Sequence, residues 1–206
     1  SSDLGQSQVI RVDHRSGQSE VIIEETISNP TNTVREYHYL APVSENLHLY
    51  QDGQGINTQT LTGPQLLKKL WEYVESNRSL LHLGTYHDQS VILSNPITIN
   101  PGESTQIKLK YRTKPIVTNG VNILKVDVAD RLLSGVFETS FNVVGANRHF
   151  LPPLHLPGET LTENNITTWL AQENDYKSDQ SLTFTWSNEV NPKLRYHYQD
   201  FDYQLQ

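Results

Sequence analysis

The stretch from residue 91 to residue 111 constrains the fold most strongly, because its side chains alternate with a period of two. Apolar or β-branched residues occupy one face of its second half, at Thr105, Ile107, Leu109 and Tyr111. Such alternation is typical of a strand with one buried face. An Asn-Pro-Gly-Glu segment at 100–103 precedes this half, where proline presets φ and glycine tolerates positive φ. We therefore predict two strand runs joined by a tight corner.

Similar runs recur along the rest of the chain, separated by short clusters of turn-forming residues. We predict further strands at residues 8–12, 21–28, 34–42, 47–50, 57–61, 80–83, 121–128, 135–144, 148–151, 181–186 and 194–198. Short strands at this spacing favour an antiparallel all-β architecture. The predicted fold is mainly β, an antiparallel β-sandwich formed by one domain over residues 1–206.

Two segments have helical spacing instead. Residues 64–77 begin with a proline and continue with apolar residues on one helical face, at Leu66, Leu67, Leu70, Trp71 and Val74. We predict an amphipathic helix there that covers an open face or end of the sheet. A second short helix is expected at 163–172, behind a Thr162 cap. Trp71 and Trp169, beside leucines on these helices, are expected in the core.

The composition excludes several classes of protein. Sixteen Lys and Arg residues against 23 Asp and Glu residues give a net charge of −7, and no basic stripe could follow a phosphate backbone, so we expect no nucleic-acid partner. No apolar run approaches the roughly 20 residues of a spanning helix, which predicts no transmembrane segment in this chain. The absence of cysteine removes disulfides and thiolate chemistry.

The first residues of the chain indicate where in or outside the cell the protein is expected. The chain begins Ser1-Ser2-Asp3 without an initiator methionine, which is compatible with a removed signal peptide. A cysteine-free exported domain suits a bacterial envelope better than a small animal secreted module, which tends to depend on disulfides. We therefore expect a secreted, periplasmic or cell-surface protein.

The order of these elements resembles the VIT (vault protein inter-alpha-trypsin) domain, which precedes a von Willebrand A domain in inter-alpha-trypsin inhibitor heavy chains and many bacterial surface proteins. The resemblance runs from Val21 to Tyr111. It rests on segments in matching order, which are Thr-Ile-Ser-Asn-Pro at 26–30, the strand 36–42 that stops at a proline, Leu80-Leu81 after the helical insert, 91–99, Pro-Gly-Glu at 101–103, and 107–111. Residues 8–111 would form the best-matched core, and 112–206 a continuation of the same fold. The resemblance implies a β-sandwich without catalysis of its own, used for protein contacts or for supporting a neighbouring domain.

Metal-binding motifs are weak. Asp-Gln-Ser-Leu-Thr at 179–183 approaches the Asp-x-Ser-x-Ser pattern expected in the neighbouring von Willebrand A domain, but the α/β context that such a site needs is missing. The eight histidines lack a recurrent ligand spacing. The closest groups are His82 with His87 and Asp88, and His149 with His155. We predict no metal site, and a histidine-based metalloenzyme remains an alternative.

Catalytic motifs are equally weak. The sequence contains no Gly-x-Ser-x-Gly elbow and no cysteine nucleophile. Gly53-Gln54-Gly55 lacks a third glycine at dinucleotide spacing, so it is interpreted as a turn. We therefore predict no catalytic residue and no bound cofactor.

Ten tyrosines and three tryptophans suggest a different alternative. Tyr196, Tyr198 and Trp186, in the predicted closing strands, are candidate contacts for a partner protein or a glycan, because aromatic faces stack on sugars and anchor interfaces. The competing interpretation is that these aromatic residues pack in the core, as strand residues often do.

The sequence therefore predicts a non-enzymatic protein-interaction or scaffolding module of an exported protein. Its partner would be another protein or a neighbouring domain such as von Willebrand A, and the oligomeric state stays open. The alternatives are a carbohydrate-binding or adhesive β-sandwich that uses exposed tyrosines, and the metalloenzyme.

Overall fold

The computed structural model describes residues 5–15, 17–42, 45–62, 64–65, 68–69, 72, 79–81, 91–126, 136–144, 149–154, 156–174 and 182–187. Within these residues strands predominate, and most neighbouring strands are antiparallel. The predicted fold class, a mainly β antiparallel β-sandwich, is confirmed. The predicted strand at 194–198 lies outside the described residues.

The largest sheet has eight described strands. In spatial order they are β16 (Glu159–Glu163), β17 (Ile166–Asn174), β14 (Val136–Val144), β1 (Gly5–Arg15), β2 (Gln18–Ser28), β11 (Ser104–Thr113), β5 (Glu45–Gln51) and β6 (Gln54–Gly55). Neighbours are antiparallel except for β1 and β14, which pair in parallel. Because β14, β16 and β17 follow Tyr111 in sequence, residues beyond the segment 21–111 share a sheet with it.

Three smaller sheets complete the described structure. The first contains β10 (Ile97–Ile99), β3 (Arg35–His38) and β8 (Ser79–Leu81); the second contains β12 (Ile116–Thr118), β13 (Val121–Val126), β18 (Leu182–Ser187) and β15 (His149–Leu151); the third contains β4 (Leu40–Pro42), β9 (Val91–Ser94) and β7 (Thr58–Leu61). The predicted strand 34–42 is thus divided between two sheets.

The corner at 100–103 has the predicted conformation. The Glu103 amide donates to the Asn100 carbonyl at 3.1 Å, and Gly102 has φ of +73°, which a turn with glycine in its third position requires. Beyond it, Thr105, Ile107, Leu109 and Tyr111 are buried, as their alternation predicted. The corner carries the chain from β10 into β11, that is, from one sheet to another.

The buried side chain of Asn29 holds this corner against the end of β2. Its Nδ2 group donates to the carbonyls of Thr33 and Ile99, at 2.8 and 2.9 Å. Its backbone carbonyl accepts from the Gly102 amide at 2.8 Å, and its amide donates to the Glu103 carbonyl at 2.9 Å. One residue therefore joins the end of β2 to the end of β10 and to the corner itself.

The core lies on one face of the eight-stranded sheet, which we call the inner face. Alternate residues of its central strands point there and are fully or almost fully buried: Ile10, Val12, Val21, Ile23, Phe141, Val143 and Trp169. Phe141 stacks on Phe184 of β18, with ring centroids 4.5 Å apart, and its centroid lies 5.3 Å from those of Phe150 and Trp186. These contacts join the large sheet to the four-stranded sheet.

The predicted helix at 163–172 is wrong. These residues belong to the hairpin of β16 and β17, whose turn residues Asn164 and Asn165 both have positive φ, as a two-residue hairpin turn demands. Thr167, Trp169 and Ala171 are buried while the residues between them are not, which is the period of a strand. The β-branched run Ile166-Thr167-Thr168 favours that outcome. Trp169 lies in the core as predicted, but on a strand.

The predicted helix at 64–77 lies mostly outside the described residues. Those that are described, Pro64, Gln65, Lys68, Lys69 and Glu72, are helical. Gln65 Oε1 accepts from the Thr62 amide at 2.9 Å, as in one half of a capping box, and Lys69 pairs with Glu72 at 3.2 Å. The length of this helix and its packing on the sheet stay predictions, as does the core position of Trp71.

Within the described part of the chain, no helix combines the length and apolar content that crossing a bilayer requires.

Replacing Phe141 should show how much the sandwich depends on its aromatic contacts. We expect Phe141→Ala to lower the free energy of unfolding by about 3–5 kcal/mol, because it removes a buried ring and leaves a cavity. Val117→Ala, on the exposed strand β12, should change it by less than about 0.5 kcal/mol. Urea denaturation of both variants measures the difference. Similar losses in the two would contradict the position given to Phe141.

Candidate functional site

The strand β16 forms one edge of the eight-stranded sheet. All five of its residues are exposed, and its register with β17 is continuous, without a bulge. On its far side no described strand pairs with it. Its outward-facing N–H and C=O groups are therefore open to solvent or to another chain.

An apolar stripe lies on the solvent-facing side of the sheet beside this edge. We call it the outer stripe, and its members are Val144, Leu161, Ile166 and Leu170, which are 41%, 64%, 38% and 57% exposed. Val144 is directly opposite Ile166 across β14 and β17, and Leu161 is diagonal to both Ile166 and Leu170. The stripe is therefore continuous across three strands, an arrangement that often marks an interaction surface.

A cleft of about 770 Å³ opens next to the outer stripe. Its walls come from the outer side of three strands and from the segment that leads into β16: Val9, Arg11, Glu138, Ser140, Leu170, Gln172, Pro157, Gly158 and Glu159. The volume falls within the range of small-ligand sites, but the cleft is open along one side. It is better described as a groove at the margin of the sheet than as an enclosed pocket.

The charge in the cleft is negative. Arg11, the cation in its wall, pairs with Glu24 at 3.2 Å. Within the described residues, Glu138 and Glu159 have no ion-pair partner. The cleft and the adjoining edge therefore favour a cationic ligand over an anionic one.

Gly158 packs against the edge of the Trp169 indole ring that carries Nε1. A Cβ atom at this position would lie 2.7 Å from the Leu170 carbonyl oxygen and closer still to Trp169 Nε1. The chain entering β16 can approach the sheet this closely because residue 158 has no side chain. Trp169 Nε1 and the hydroxyl of Thr139 are buried, and neither has a hydrogen-bond partner among the described residues.

A histidine and a serine meet inside the protein, away from the edge strand. His14 Nδ1 lies 2.8 Å from Ser19 Oγ, and the His14 ring packs edge-on against Trp186 at 4.7 Å. Ser19 is fully buried and His14 nearly so. Because a substrate could not reach the hydroxyl, this pair is a structural contact that closes the hairpin of β1 and β2.

A buried carboxyl group lies on the inner face. Glu25 accepts from Gln8 Nε2 at 2.9 Å and from the Tyr37 hydroxyl at 3.4 Å, and it is fully buried. Gln8 faces Glu25 directly across β1 and β2, and Tyr37 comes from β3. The hydrogen bonds join two sheets, so the cluster fixes their relative position and is closed to solvent.

The aromatic residues proposed as surface contacts are placed differently or not described. Trp186 is fully buried in the core and packs on Phe141 and His14, so its ring is closed to a glycan or partner. Burial follows from its position on β18, whose residues are mostly enclosed between sheets. Tyr196 and Tyr198 lie outside the described residues.

The histidine groups are also mostly outside the described part of the chain. His82, His87, Asp88 and His155 are not described, and His149 begins β15. Among the described side chains, no group of three or more His, Asp or Glu residues could hold a metal ion. The Asp-x-Ser-x-Ser-like segment is described only for Leu182 and Thr183, which begin β18. Gly53 adopts positive φ in the turn between β5 and β6, as expected.

Sequence reasoning missed the edge strand because it assigned no strand to residues 159–162, and it missed the outer stripe because it placed Ile166 and Leu170 on a helix at 163–172. A signal was nevertheless present. The alternation of Glu159, Leu161 and Glu163 with threonine, followed by Asn164-Asn165, is typical of a strand entering a two-residue hairpin turn.

No protein-family model and no curated protein matches this sequence. Solved structures share its fold. A protein of Legionella pneumophila, provisionally assigned as nutrient binding, matches with a TM-score of 0.62 at 9% identity, over 89% of this chain and 66% of that protein. A two-domain M1 zinc metallopeptidase bound to L-tryptophan matches with a TM-score of 0.50 at 8% identity, over 90% of this chain and 43% of the enzyme. Aminopeptidase A of Legionella pneumophila matches at 0.49 and 12% identity, over 91% of this chain and 22% of the enzyme.

The chain thus spans less than two thirds of the length of each of these proteins. At such identities the match shows a common fold. It does not assign the activity of any of these proteins to this chain.

The buried histidines should make stability depend on pH. Burial lowers the pKa of His14 from its ordinary 6.5, against the opposing charge of Asp13. Burial likewise lowers the pKa of His38, which Glu36 raises and Lys69 lowers further. Because the unfolded state then binds the proton more readily, the free energy of unfolding should fall as the pH drops below about 6.5. Urea denaturation between about pH 7.5 and 5.5 measures this loss.

The variant His14→Gln provides the comparison. Its amide can still bond to Ser19 but does not titrate, so the fall in stability over this pH range should be smaller. If the unfolding free energy of the variant falls equally steeply, His14 has the same pKa in the folded and unfolded states.

The packing of Gly158 gives a separate test. We expect Gly158→Ala to cost about 1–3 kcal/mol of unfolding free energy, because the new methyl group meets backbone and the Trp169 ring. Gly55→Ala is the matched control, since a Cβ there meets nothing within 4 Å and Gly55 lacks positive φ. Thermal and urea denaturation compare the two. Equal stability would place the segment before β16 farther from Trp169.

Proposed function

We propose that this chain is a non-enzymatic protein-interaction or scaffolding module of an exported protein, of the VIT type. In this proposal the module works by presenting the β16 end of its large sheet to another protein or to a neighbouring domain such as von Willebrand A. It carries no cofactor and no metal of its own, and it acts outside the cytoplasm.

The outer stripe is the observation that carries this proposal. Four apolar side chains, on three adjacent strands, lie together in solvent although the inner face already provides the core. Leaving such a patch exposed forgoes about 25 cal/mol for each Å² of apolar surface that a partner would bury. A surface of this kind, bordered by the acids Glu138, Glu159 and Glu163, has the apolar centre and polar rim of an interface.

The relation to the solved structures is consistent with a module of a larger protein. The same fold occupies 66% of the Legionella pneumophila protein and 43% of the M1 zinc metallopeptidase, so in both it is accompanied by further chain. Because identity is 8–9%, neither the nutrient-binding assignment nor the peptidase activity is proposed for this chain.

The two alternatives gain no support from a particular observation. The carbohydrate-binding interpretation used three aromatic residues, and the one that is described, Trp186, is buried. The metalloenzyme interpretation used histidines that mostly lie outside the described residues. Neither alternative explains why the outer stripe is exposed.

Site-specific photo-crosslinking in the native protein, in its own cells, tests the proposal. A photoreactive amino acid at Leu170 or Ile166 should give one discrete crosslinked product, either within the protein or to one partner, because the stripe is covered in the assembled state. Mass spectrometry should map both positions to the same contacting surface.

The control is Thr26, an exposed residue on the same side of the sheet but outside the stripe. It should give no discrete product. If Leu170 and Ile166 crosslink no more than Thr26 does, the stripe is not a contact surface and the proposed function is wrong.

A further inference from the structure

The edge strand β16 has the features of a template for another strand. Its five residues are regular and exposed, and they contain neither lysine nor proline, the residues that commonly protect sheet edges from pairing. Every second residue directs its N–H and C=O away from β17, so these groups can pair with an added chain in the same ladder geometry.

The side chains of β16 specify what that chain should carry. On the outer side, Glu159, Leu161 and Glu163 follow one another at a spacing of two residues, so the edge displays acid, apolar and acid in sequence. Within the described residues, neither glutamate has an ion-pair partner. Leu161 is 64% exposed and continues into the outer stripe.

The opposite side of the same strand is small and polar. Thr160 and Thr162 point there, and Thr162 Oγ1 lies 3.1 Å from Thr167 Oγ1. An added strand would need no large apolar residue on that side. The chemical demands of the edge are therefore concentrated on its outer side.

We propose that β16 binds an extended segment of a partner protein by strand addition, and that this segment carries a basic, an apolar and a basic residue at alternate positions. The two cations would lie across from Glu159 and Glu163, and the apolar residue across from Leu161, which are favourable cross-strand pairs. This inference rests on the proposed function and specifies the class of partner.

The β16 strand of a second copy does not meet these demands. Pairing β16 with itself in antiparallel register about Leu161 places Glu159 opposite Glu163 twice, and like charges directly opposite each other are destabilising. The acids therefore disfavour self-association at the same edge that would accept a basic segment.

The experiment uses the 206-residue chain and a short acetylated, amidated peptide with the core Lys-Thr-Val-Thr-Lys. Fluorescence anisotropy should show saturable binding with a dissociation constant below about 1 mM, since a short strand with a few hydrogen bonds binds weakly. The same peptide with glutamate in place of both lysines should not bind.

Two charge variants separate the edge from the overall negative charge. Glu159→Gln with Glu163→Gln should weaken binding about three- to tenfold, from the loss of two exposed ion pairs. Glu72→Gln with Glu103→Gln removes two exposed acids elsewhere and should leave the affinity unchanged.

N-methylation of the peptide tests the ladder itself. Methyl groups on one set of alternate amides should abolish binding, and methyl groups on the other set should not, because only one edge of the peptide faces β16. If both methylated peptides still bind, or if neither binds, strand addition is contradicted.

The remaining outcomes also decide the question. No saturable binding of the lysine peptide, or an equal loss in both double variants, overturns the proposal. If crosslinks still form from Leu170 and Ile166 in that case, the interaction module stands and only the strand-addition mode is wrong. If those crosslinks are absent while the peptide binds as described, the edge binds a segment and the stripe contacts no domain.

Discussion

Burial of the inner face of the eight-stranded sheet is the constraint on which this structure depends. Phe141 of β14 stacks on Phe184 of β18, and Trp169 and Trp186 pack around the same two rings. Since the smaller sheets cover the inner face, the outer side of the large sheet has nothing in the described structure to cover it. Its central strands carry mostly polar residues there, with Val9 and Ile22 half-buried. The exposed apolar residues lie toward the β16 end. The candidate site therefore lies on the side of the sheet that does not form the core.

The local parts of this arrangement could be predicted from the sequence. The period of two in residues 104–111 and the Pro101-Gly102 turn depend on neighbouring residues alone, and both have the expected structure. The strands at 21–28 and 57–61 were found for the same reason, although their bounds differ by up to three residues. Alternation also gave the correct fold class, because a sheet with one buried face imposes it on the strands that pack against the core.

The remaining features depend on contacts distant in sequence. The parallel pairing of β1 with β14 joins residues more than a hundred positions apart, and no local pattern specifies it. Whether Trp186 faces the core or solvent depends on which sheet covers β18. The helix predicted at 163–172 failed because Ile166, Trp169 and Leu170 fit both a helical face and two sides of a strand. The edge strand β16 was missed as well. A strand lies at the edge of a sheet only when no other strand pairs with its far side, and no local sequence pattern specifies that.

Site-resolved amide hydrogen exchange by NMR tests the central claim, that the sheet is closed at its core and open at β16. The account predicts slow exchange throughout β1, β2 and β14, and along β16 an alternation in which amides facing β17 are protected and those facing away exchange as freely as in an unstructured peptide. Uniform protection of all five β16 amides would show that the edge is already covered. Exchange in β14 as fast as at the edge would contradict the sandwich itself.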